Sequence, residues 1–369
     1  MSYIIGWKNS RSVFLAGDTI LSANFEMNTY EKHTSFGEKL VKSESKSHSE
    51  AYLKIWVIGK VAVGFVSNDT YEAIGFLEKL SNEIDQDNLY ESIDAITKKC
   101  KPQKSEFLFA FHEGGQNKLY KYDLDYGEIY EEHEPTQIGS LPSDYMDQTY
   151  EMCLHLIDEE SNLNDDDSLV LANATHQNLM IVQNSMQFDV GGMFTGLYIN
   201  SNEIRWQRDT MYINYNANLK LLNAEENNLH EVFTPSGQIH LLIRNNCASY
   251  SSGFQNNTAK TDHLFKCWVN KNTNMLPKDI ISERRQWSKE CFDEIHSKFN
   301  CPEPSYIVLF SNDPEIARNC IIIRSSGGNP FVKIPCLKDD HFDIDVNMSI
   351  INALKPDNEL NVYRYEFVN

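Results

Sequence analysis

The residue best placed to do covalent chemistry in this sequence is Ser2, which directly follows Met1. A serine hydroxyl is a poor nucleophile unless a base takes its proton. Cytoplasmic processing removes Met1 before a side chain as small as serine, and Ser2 would then carry a free α-amine beside its hydroxyl. Because such an amine has an ordinary pKa of about 7.7–8.0, it can act as that base near neutral pH. Ser2 is therefore a candidate nucleophile, although many cytoplasmic proteins of other kinds also begin with Met-Ser.

Other groups of chemically active residues give weaker signals. His155, Asp158 and Glu159 fall on one predicted helix without a further ligand, which favours a surface helix over a metal site. The acidic runs at 131–134 and 165–167 are typical of solvated loops. No glycine pair is followed by the lysine of a phosphate-binding loop. We therefore expect no metal and no cofactor.

The overall composition narrows the class of protein. The chain has 369 residues, of which 41% are hydrophobic and 23% charged, as in soluble globular proteins of about two domains. A net charge of −20 repels nucleic acid phosphates and anionic lipids, so neither is an expected partner. No stretch approaches the roughly 18 continuous apolar residues of a membrane span. The first residues lack the basic and apolar regions of a secretory signal, so we expect a cytoplasmic protein.

The elements that must position Ser2 come in blocks of strands and blocks of helices. The patterns predict hairpins at 3–18, 53–66 and 193–206, a strand meander at 107–130, and helices at 71–84, 89–99, 143–160 and 168–186. Blocks of this kind, rather than strict alternation, favour antiparallel sheets with helices packed outside. The sequence therefore predicts an α+β fold, with an αββα sandwich of two stacked sheets between two helical layers.

The character of the sequence changes near residue 216, which divides the chain into predicted domains 1–215 and 216–369. Short apolar runs predict strands near 238–243, 306–310 and 320–323. The segment 277–300 has the best amphipathic pattern of the chain and predicts a helix. The second domain is therefore expected to be mixed α/β, with a role that its residues do not define.

Three features of residues 1–210 resemble the β-subunits of proteasomes and the related bacterial proteasome-like proteases. The first hairpin ends in Asp18, at the separation from Ser2 that the family has between its nucleophile and an aspartate. The strand 53–58 is similar to the family's Lys-Ile strand and supplies Lys54. The stretch 119–140 is similar to the family's meander and ends in a Gly-Ser pair. The resemblance implies the fold of N-terminal-nucleophile (Ntn) hydrolases.

The resemblance also implies a role for each matching residue. Ser2 would attack an amide carbonyl while its own α-amine moves the proton. Lys54 would stabilise the alkoxide and lower the proton affinity of the amine, and Asp18 would hold the Lys54 ammonium. Ser140 would orient the amine. Each residue also has a simpler interpretation: Asp18 as a turn residue, Lys54 as a solvated strand charge, and Ser140 as a helix cap.

One stretch departs from the family pattern. The family has an aspartate and, three residues later, a serine before a Gly-Gly pair, whereas this chain has Gln187 and Val190, with Asp189 out of register. Two functions follow. The chain is either an amide or peptide hydrolase that acts on peptides or proteins, or a catalytically inactive proteasome-like scaffold or binding module. Since relatives form rings, we expect a homo-oligomer, and the second domain would cap the chamber, recruit substrate or bind a partner protein such as an ATPase.

Overall fold

A computed structural model describes the chain at residues 2–23, 34, 47–50, 53–157, 163–182, 185–208, 210–215, 239–244, 248–254, 261–268, 282–286, 305–311, 320–324, 332–338 and 341–346. Contacts between Cα atoms divide the chain into two compact units. The first contains most residues up to Gln207 together with 268–282, and the second contains Arg208–Cys267 and the residues from Glu283 onward. Independent folding of the predicted domains 1–215 and 216–369 stays a prediction.

The first unit combines helices with antiparallel strands, as predicted. Its elements in chain order are β1 Tyr3–Lys8, β2 Val13–Gly17, β3 Ile20–Ala23, β4 Ser47–Glu50, β5 Ile55–Ile58, β6 Val61–Ser67, α1 Thr70–Glu83, α2 Leu89–Cys100, β7 Ser105–Glu113, β8 Gln116–Asp123, β9 Glu128–Glu131, β10 Thr136–Gly139, α3 Ser143–Ile157, α4 Asp165–Val182, a 3-10 helix Ser185–Phe188, β11 Thr195–Ile199 and β12 Ile204–Trp206. Sheet I has the strand order β10-β1-β2-β11-β12 and sheet II the order β5-β6-β7-β8-β9, while β3 and β4 pair in a separate ribbon.

The two sheets pack face to face through alternate residues of their strands. Because side chains of a strand point to opposite faces in turn, Ile4 of β1 and Val13 and Leu15 of β2 lie on the face of sheet I that meets sheet II. The shared core also contains Ile55, Ala62, Val66, Leu108, Ala110, Leu119, Ile138, Leu197, Ile199 and Trp206. Full burial of a side chain such as leucine contributes about 1.5–3 kcal/mol, so this layer is a main source of stability.

Helices cover the outer faces of both sheets. Helix α1 begins after Asp69, whose carboxylate accepts a hydrogen bond from the N–H of Glu72, and it turns Phe76 and Leu80 toward sheet II. Helix α2 packs on the same apolar cluster. Helices α3 and α4 lie on sheet I, where α3 contacts β1 and α4 contacts β11.

The acidic run 165–167 corrects one prediction. These residues are not a solvated loop but form the first turn of α4, where negative charge is favourable beside the unpaired N–H groups of the helix. Asp165 accepts hydrogen bonds from Arg11 Nε at 3.1 Å and from Ser12 Oγ at 2.7 Å. Asp167 is itself buried. The run thus ties the turn between β1 and β2 to the start of α4.

The secondary-structure elements described in the second unit are all strands. They are β13 Thr210–Tyr215, β14 Ile239–Arg244, β15 Ala248–Phe254, β16 Thr261–Trp268, β17 Ser282–Gln286, β18 Tyr306–Ser311, β19 Cys320–Arg324, β20 Val332–Lys338 and β21 His341–Val346. Seven of them form one sheet in the order β17-β16-β15-β14-β13-β18-β19, in which β13 and β18 run parallel, and β20 pairs with β21. The predicted helix 277–300 is wrong at Ser282–Gln286, which is a strand, and its other residues lie outside the described ones.

Within the described ranges, no helix has both the length and the apolar character that crossing a membrane requires. The same residues contain no cluster of three or more His, Cys, Asp or Glu side chains that could hold a metal ion.

Candidate functional site

Ser2 lies at the start of β1, against the end of β10. The Ser2 carbonyl accepts a hydrogen bond of 3.1 Å from the backbone N–H of Ser140, and Ser2 is 6% exposed. Gly139 pairs with Tyr3 and has a φ of +114°. A Cβ atom at Gly139 would lie 1.9 Å from the Ser2 carbonyl oxygen, so only glycine fits beside Ser2. The Gly-Ser pair of the sequence therefore fixes the backbone of Ser2 from one side.

Asp18 fixes the same segment from the other side. It follows β2 directly, and its Oδ1 accepts the N–H of Tyr3 at 3.0 Å, one residue after Ser2. Its Oδ2 accepts the N–H groups of Ile20 and Gly191, each at 3.2 Å. Asp18 is 1% exposed, so these bonds replace the water that the carboxylate loses on burial.

Lys54 completes the cluster. Its Nζ donates to Asp18 Oδ1 at 2.5 Å, and both side chains are almost fully buried. Lys54 stands just before β5, and its carbonyl accepts the N–H of Phe65 at 3.0 Å, which fixes its backbone against β6. Burial lowers the pKa of Lys54, while the charge and the hydrogen bond of Asp18 act in the opposite direction. The cluster is thus a buried ion pair in direct contact with the backbone next to Ser2.

Ser140 is brought to Ser2 through its backbone. Helix α3 begins at Ser143, and the carbonyl of Pro142 accepts the N–H groups of Tyr145 and Met146, at 3.0 and 3.1 Å. Pro142 therefore has the N-cap position, and Ser140 lies two residues before it. The predicted role of the Ser140 hydroxyl as an orienting group stays a prediction.

The segment before the Gly-Gly pair forms a tight turn beside Asp18. Gln187 is exposed and Val190 is fully buried, so neither supplies a buried polar side chain. Asp189 is buried and has a φ of 60°. Its N–H donates to the Met186 carbonyl at 3.1 Å, and Ser185 Oγ donates to the Val190 carbonyl at 2.9 Å. The turn leads directly to the Gly191 N–H that contacts Asp18.

His48 was missed by the sequence patterns. It lies on β4, opposite Ser22 of β3, and its Nε2 forms a buried hydrogen bond with Asp189 Oδ1. The two residues are 141 positions apart, and His48 lies in a stretch without apolar periodicity. In the sequence, Asp189 stood out as an aspartate out of register with that of the resembled family, but no spacing connected it to a histidine.

The segment after the Gly-Gly pair is held by two further residues. The Gln177 side chain of α4 donates to the Gly192 carbonyl at 2.8 Å and accepts the Phe194 N–H at 2.7 Å. Thr19 Oγ1 donates to the Met193 carbonyl at 3.0 Å. Asp18 and Thr19 are neighbours in the sequence, and they bind the chain on either side of Gly192: Asp18 at Gly191 and Thr19 at Met193.

A buried polar network lies on the other face of β1, under α3 and α4. The Tyr3 hydroxyl bonds Gln137 Oε1 at 2.6 Å and Thr149 Oγ1 at 2.8 Å, and burial raises the pKa of Tyr3. His176 stacks on Phe194, and its Nδ1–H donates to the Ala172 carbonyl at 2.6 Å. Burial lowers the pKa of His176 to about 4, so the ring is neutral.

No family model matches the sequence, and no curated protein matches it. Among solved structures, the chain is similar to a mutant of Anbu from Hyphomicrobium sp. strain MC1. The similarity covers 56% of this chain and 88% of that one, at 12% identity and a TM-score of 0.39. The likeness is distant and carries no information on activity.

Proposed function

We propose that this chain is an N-terminal-nucleophile amide hydrolase with a proteasome-like first domain, in which Ser2 is the nucleophile once Met1 is removed. One observation carries the proposal: the buried Lys54–Asp18 ion pair, whose Asp18 Oδ1 also accepts the N–H of Tyr3. Lys54 and Asp18 are 36 positions apart, and burying two charges is costly. Shifted pKa values cluster at functional sites, and here a buried lysine with a lowered pKa contacts the carboxylate that binds strand β1.

The reaction would proceed in two stages at Ser2. The free α-amine takes the hydroxyl proton, Oγ attacks the carbonyl carbon of an amide, and the carbonyl oxygen becomes an oxyanion. The amine then gives its proton to the leaving nitrogen as the carbon–nitrogen bond breaks, which leaves an ester on Ser2. In the second stage the amine deprotonates water, which attacks the ester and releases the carboxylic acid. The hydroxyl and the amine return to their starting states.

Lys54 and Asp18 would set the charge around this chemistry. An ammonium beside Ser2 stabilises the alkoxide and lowers the proton affinity of the α-amine, which keeps that amine neutral near pH 7. Asp18 holds the ammonium and, through the Tyr3 N–H, the backbone adjoining the nucleophile. Ser140, next to the Ser2 carbonyl, would orient the amine. The substrates would be peptides or proteins, cleaved by a homo-oligomer.

The test needs Met1 removal and Ser2 reactivity to be measured separately. Intact mass of the purified chain reports whether Met1 is absent. A peptide epoxyketone then serves as the probe, because its ketone carbon accepts the hydroxyl and its epoxide carbon accepts the amine of the same residue. We expect one adduct on Ser2 and hydrolysis of members of a peptide panel. Both should disappear in Ser2→Ala, while Ser10→Ala, the same change in the exposed turn between β1 and β2, should leave both unchanged. Unchanged hydrolysis in Ser2→Ala would reject the proposal.

A catalytically inactive scaffold or binding module is the second candidate. It is favoured by the buried Val190 and the exposed Gln187, which stand where the resembled family has a serine and an aspartate. Retention of Met1, or a chain without Met1 that forms no adduct and cleaves no peptide, would favour this alternative.

A further inference from the structure

We infer that His48 is a positioning residue of the Ser2 site. It acts on the Asp18 carboxylate indirectly, through Asp189 and the backbone N–H of Gly191. The inference rests on the proposed function for its kinetic consequence, but its structural part stands on contacts alone. His48 lies between Asp18 and Lys54 in the sequence. Strand β4 thus brings a side chain back toward the cluster.

Two contacts join the β3–β4 ribbon to the turn 185–191. His48 bonds Asp189, and Ile20 of β3 forms a buried apolar pair with Met186 of the 3-10 helix. Ile20 also donates its N–H to Asp18 Oδ2. The ribbon therefore contacts both the turn and the carboxylate that the turn serves.

The backbone of the turn explains why Asp189 needs a partner. A φ of 60° lies in the left-handed region, which aspartate tolerates at an energetic cost unless other contacts fix it. The carboxylate of Asp189 accepts a hydrogen bond, so His48 Nε2 carries the proton and donates. This bond fixes Asp189 in the conformation from which the chain continues to Gly191.

The effect reaches the nucleophile through Asp18. Gly191 supplies one of the two N–H groups on Asp18 Oδ2, while Oδ1 holds Lys54 and the Tyr3 N–H. A carboxylate bound at both oxygens cannot rotate. Loss of the Gly191 contact would leave Oδ2 with the Ile20 N–H of this pair, so that the carboxylate is held less firmly and Lys54 and the start of β1 can shift relative to each other. Because catalytic geometry tolerates little displacement, reactivity should fall even though His48 need not touch substrate.

The test compares His48→Ala with His48→Gln, since glutamine can still donate a hydrogen bond to Asp189, and with His133→Ala at an exposed histidine. Two quantities are measured: amide exchange at Gly191 and the rate of Ser2 labelling by the peptide epoxyketone. We expect faster Gly191 exchange in His48→Ala and labelling that is about 10- to 100-fold slower. In peptide hydrolysis, kcat should fall with little change in KM. His48→Gln should recover part of both losses, and His133→Ala should match the unchanged protein.

The outcomes separate the two proposals. A folded His48→Ala protein with unchanged Gly191 exchange and unchanged labelling would overturn the role of His48. If the unsubstituted chain is not labelled at Ser2, the proposed hydrolase fails, and Gly191 exchange alone still decides the positioning role. If His48→Ala does not fold, His48→Phe decides, because it keeps a ring at this position and removes the hydrogen-bond donor to Asp189. Faster Gly191 exchange in His48→Phe then supports the inference, and unchanged exchange rejects it.

Discussion

Two regions of the first unit bury very different side chains. Between sheet II and α1–α2 the core cluster is made of aromatic and aliphatic residues such as Phe76, Leu80 and Phe109. At the start of β1, the buried residues include Asp18 and Lys54 and the polar network around Tyr3. Apolar burial stabilises in proportion to area and tolerates many arrangements, whereas each buried polar group needs a specific partner. The comparison predicts that substitutions in the first region change stability alone, and that those in the second also change reactivity.

Lys54 gives the largest expected effect. Lys54→Met should lower the free energy of unfolding by about 3–5 kcal/mol, because Asp18 loses its buried counter-charge. Labelling of Ser2 should fall about 100-fold or more. Adding Asp18→Asn should restore much of the stability by removing the remaining charge, but it should not restore labelling. Urea unfolding and labelling rates measure the two effects. Recovery of both together would mean that the pair serves stability only.

Phe109 is the matching test in the apolar layer. It is fully buried and packs against Phe76 and Phe107. Phe109→Ala should cost about 3–5 kcal/mol through lost burial and the cavity that remains. Labelling of the folded fraction should stay at the unsubstituted rate, because no hydrogen bond of the Ser2 site is touched. A slower rate in folded Phe109→Ala would show that the two regions are coupled.

His176, in the buried polar network under α3 and α4, makes the stability of the protein depend on pH. Its pKa is about 4 in the folded chain and about 6.5 when unfolded, so the unfolded state binds more protons between these values. The contribution of the neutral His176 to the free energy of unfolding should therefore be fully present above about pH 6.5. The free energy of unfolding should fall by about 3 kcal/mol as the pH drops to about 4. His176→Gln should remove this part of the pH dependence, and His133→Gln at the exposed histidine should keep it. Unfolding curves from pH 4 to 8 provide the measurement; identical slopes for both variants would contradict the assignment.

Gly139 gives the smallest of the four effects and compares two positions with positive φ. Gly139→Ala should cost about 2 kcal/mol or more and slow the labelling of Ser2, because its Cβ would overlap the Ser2 carbonyl. Gly127 has a φ of +68°, and the atom nearest to its Cβ would be Tyr122 Oη at 3.8 Å. Gly127→Ala should therefore cost only about 1 kcal/mol and leave labelling unchanged. Equal labelling in both variants would mean that Gly139 does not position Ser2.

Local patterns predicted most elements of the first unit. The hairpins β1–β2 and β5–β6, the helices α1 and α2 and the meander β7–β9 each have short-range signals: period-two strands, tight turns and the Asp69 cap. The pairing of Asp18 with Lys54 was predicted only from the family resemblance, since neither residue has a signal of its own.

The missed features depend on contacts between distant residues. Strand β10 has four residues, of which Ile138 is the one large apolar side chain, and it forms by pairing with β1, at least 130 positions earlier. Strand β4, which contains His48, lies in a polar stretch whose periodicity is too weak to predict a strand. At Ser282–Gln286 an amphipathic pattern suggested a helix, but pairing within the seven-stranded sheet determines the conformation.

The order of strands in sheet I has a consequence during synthesis on the ribosome. The hairpin β1–β2 is made before its neighbours in the sheet, which are β10 on one side and β11 at Thr195–Ile199 on the other. At about 5–20 residues per second, β2 therefore waits on the order of 10–40 seconds with an open hydrogen-bonding edge. During that interval Gly191 has not been made, so Asp18 lacks the hydrogen bond from its N–H group. A nascent chain would thus be both prone to aggregation and incompletely assembled around Ser2, which makes this interval the point at which a chaperone would matter most.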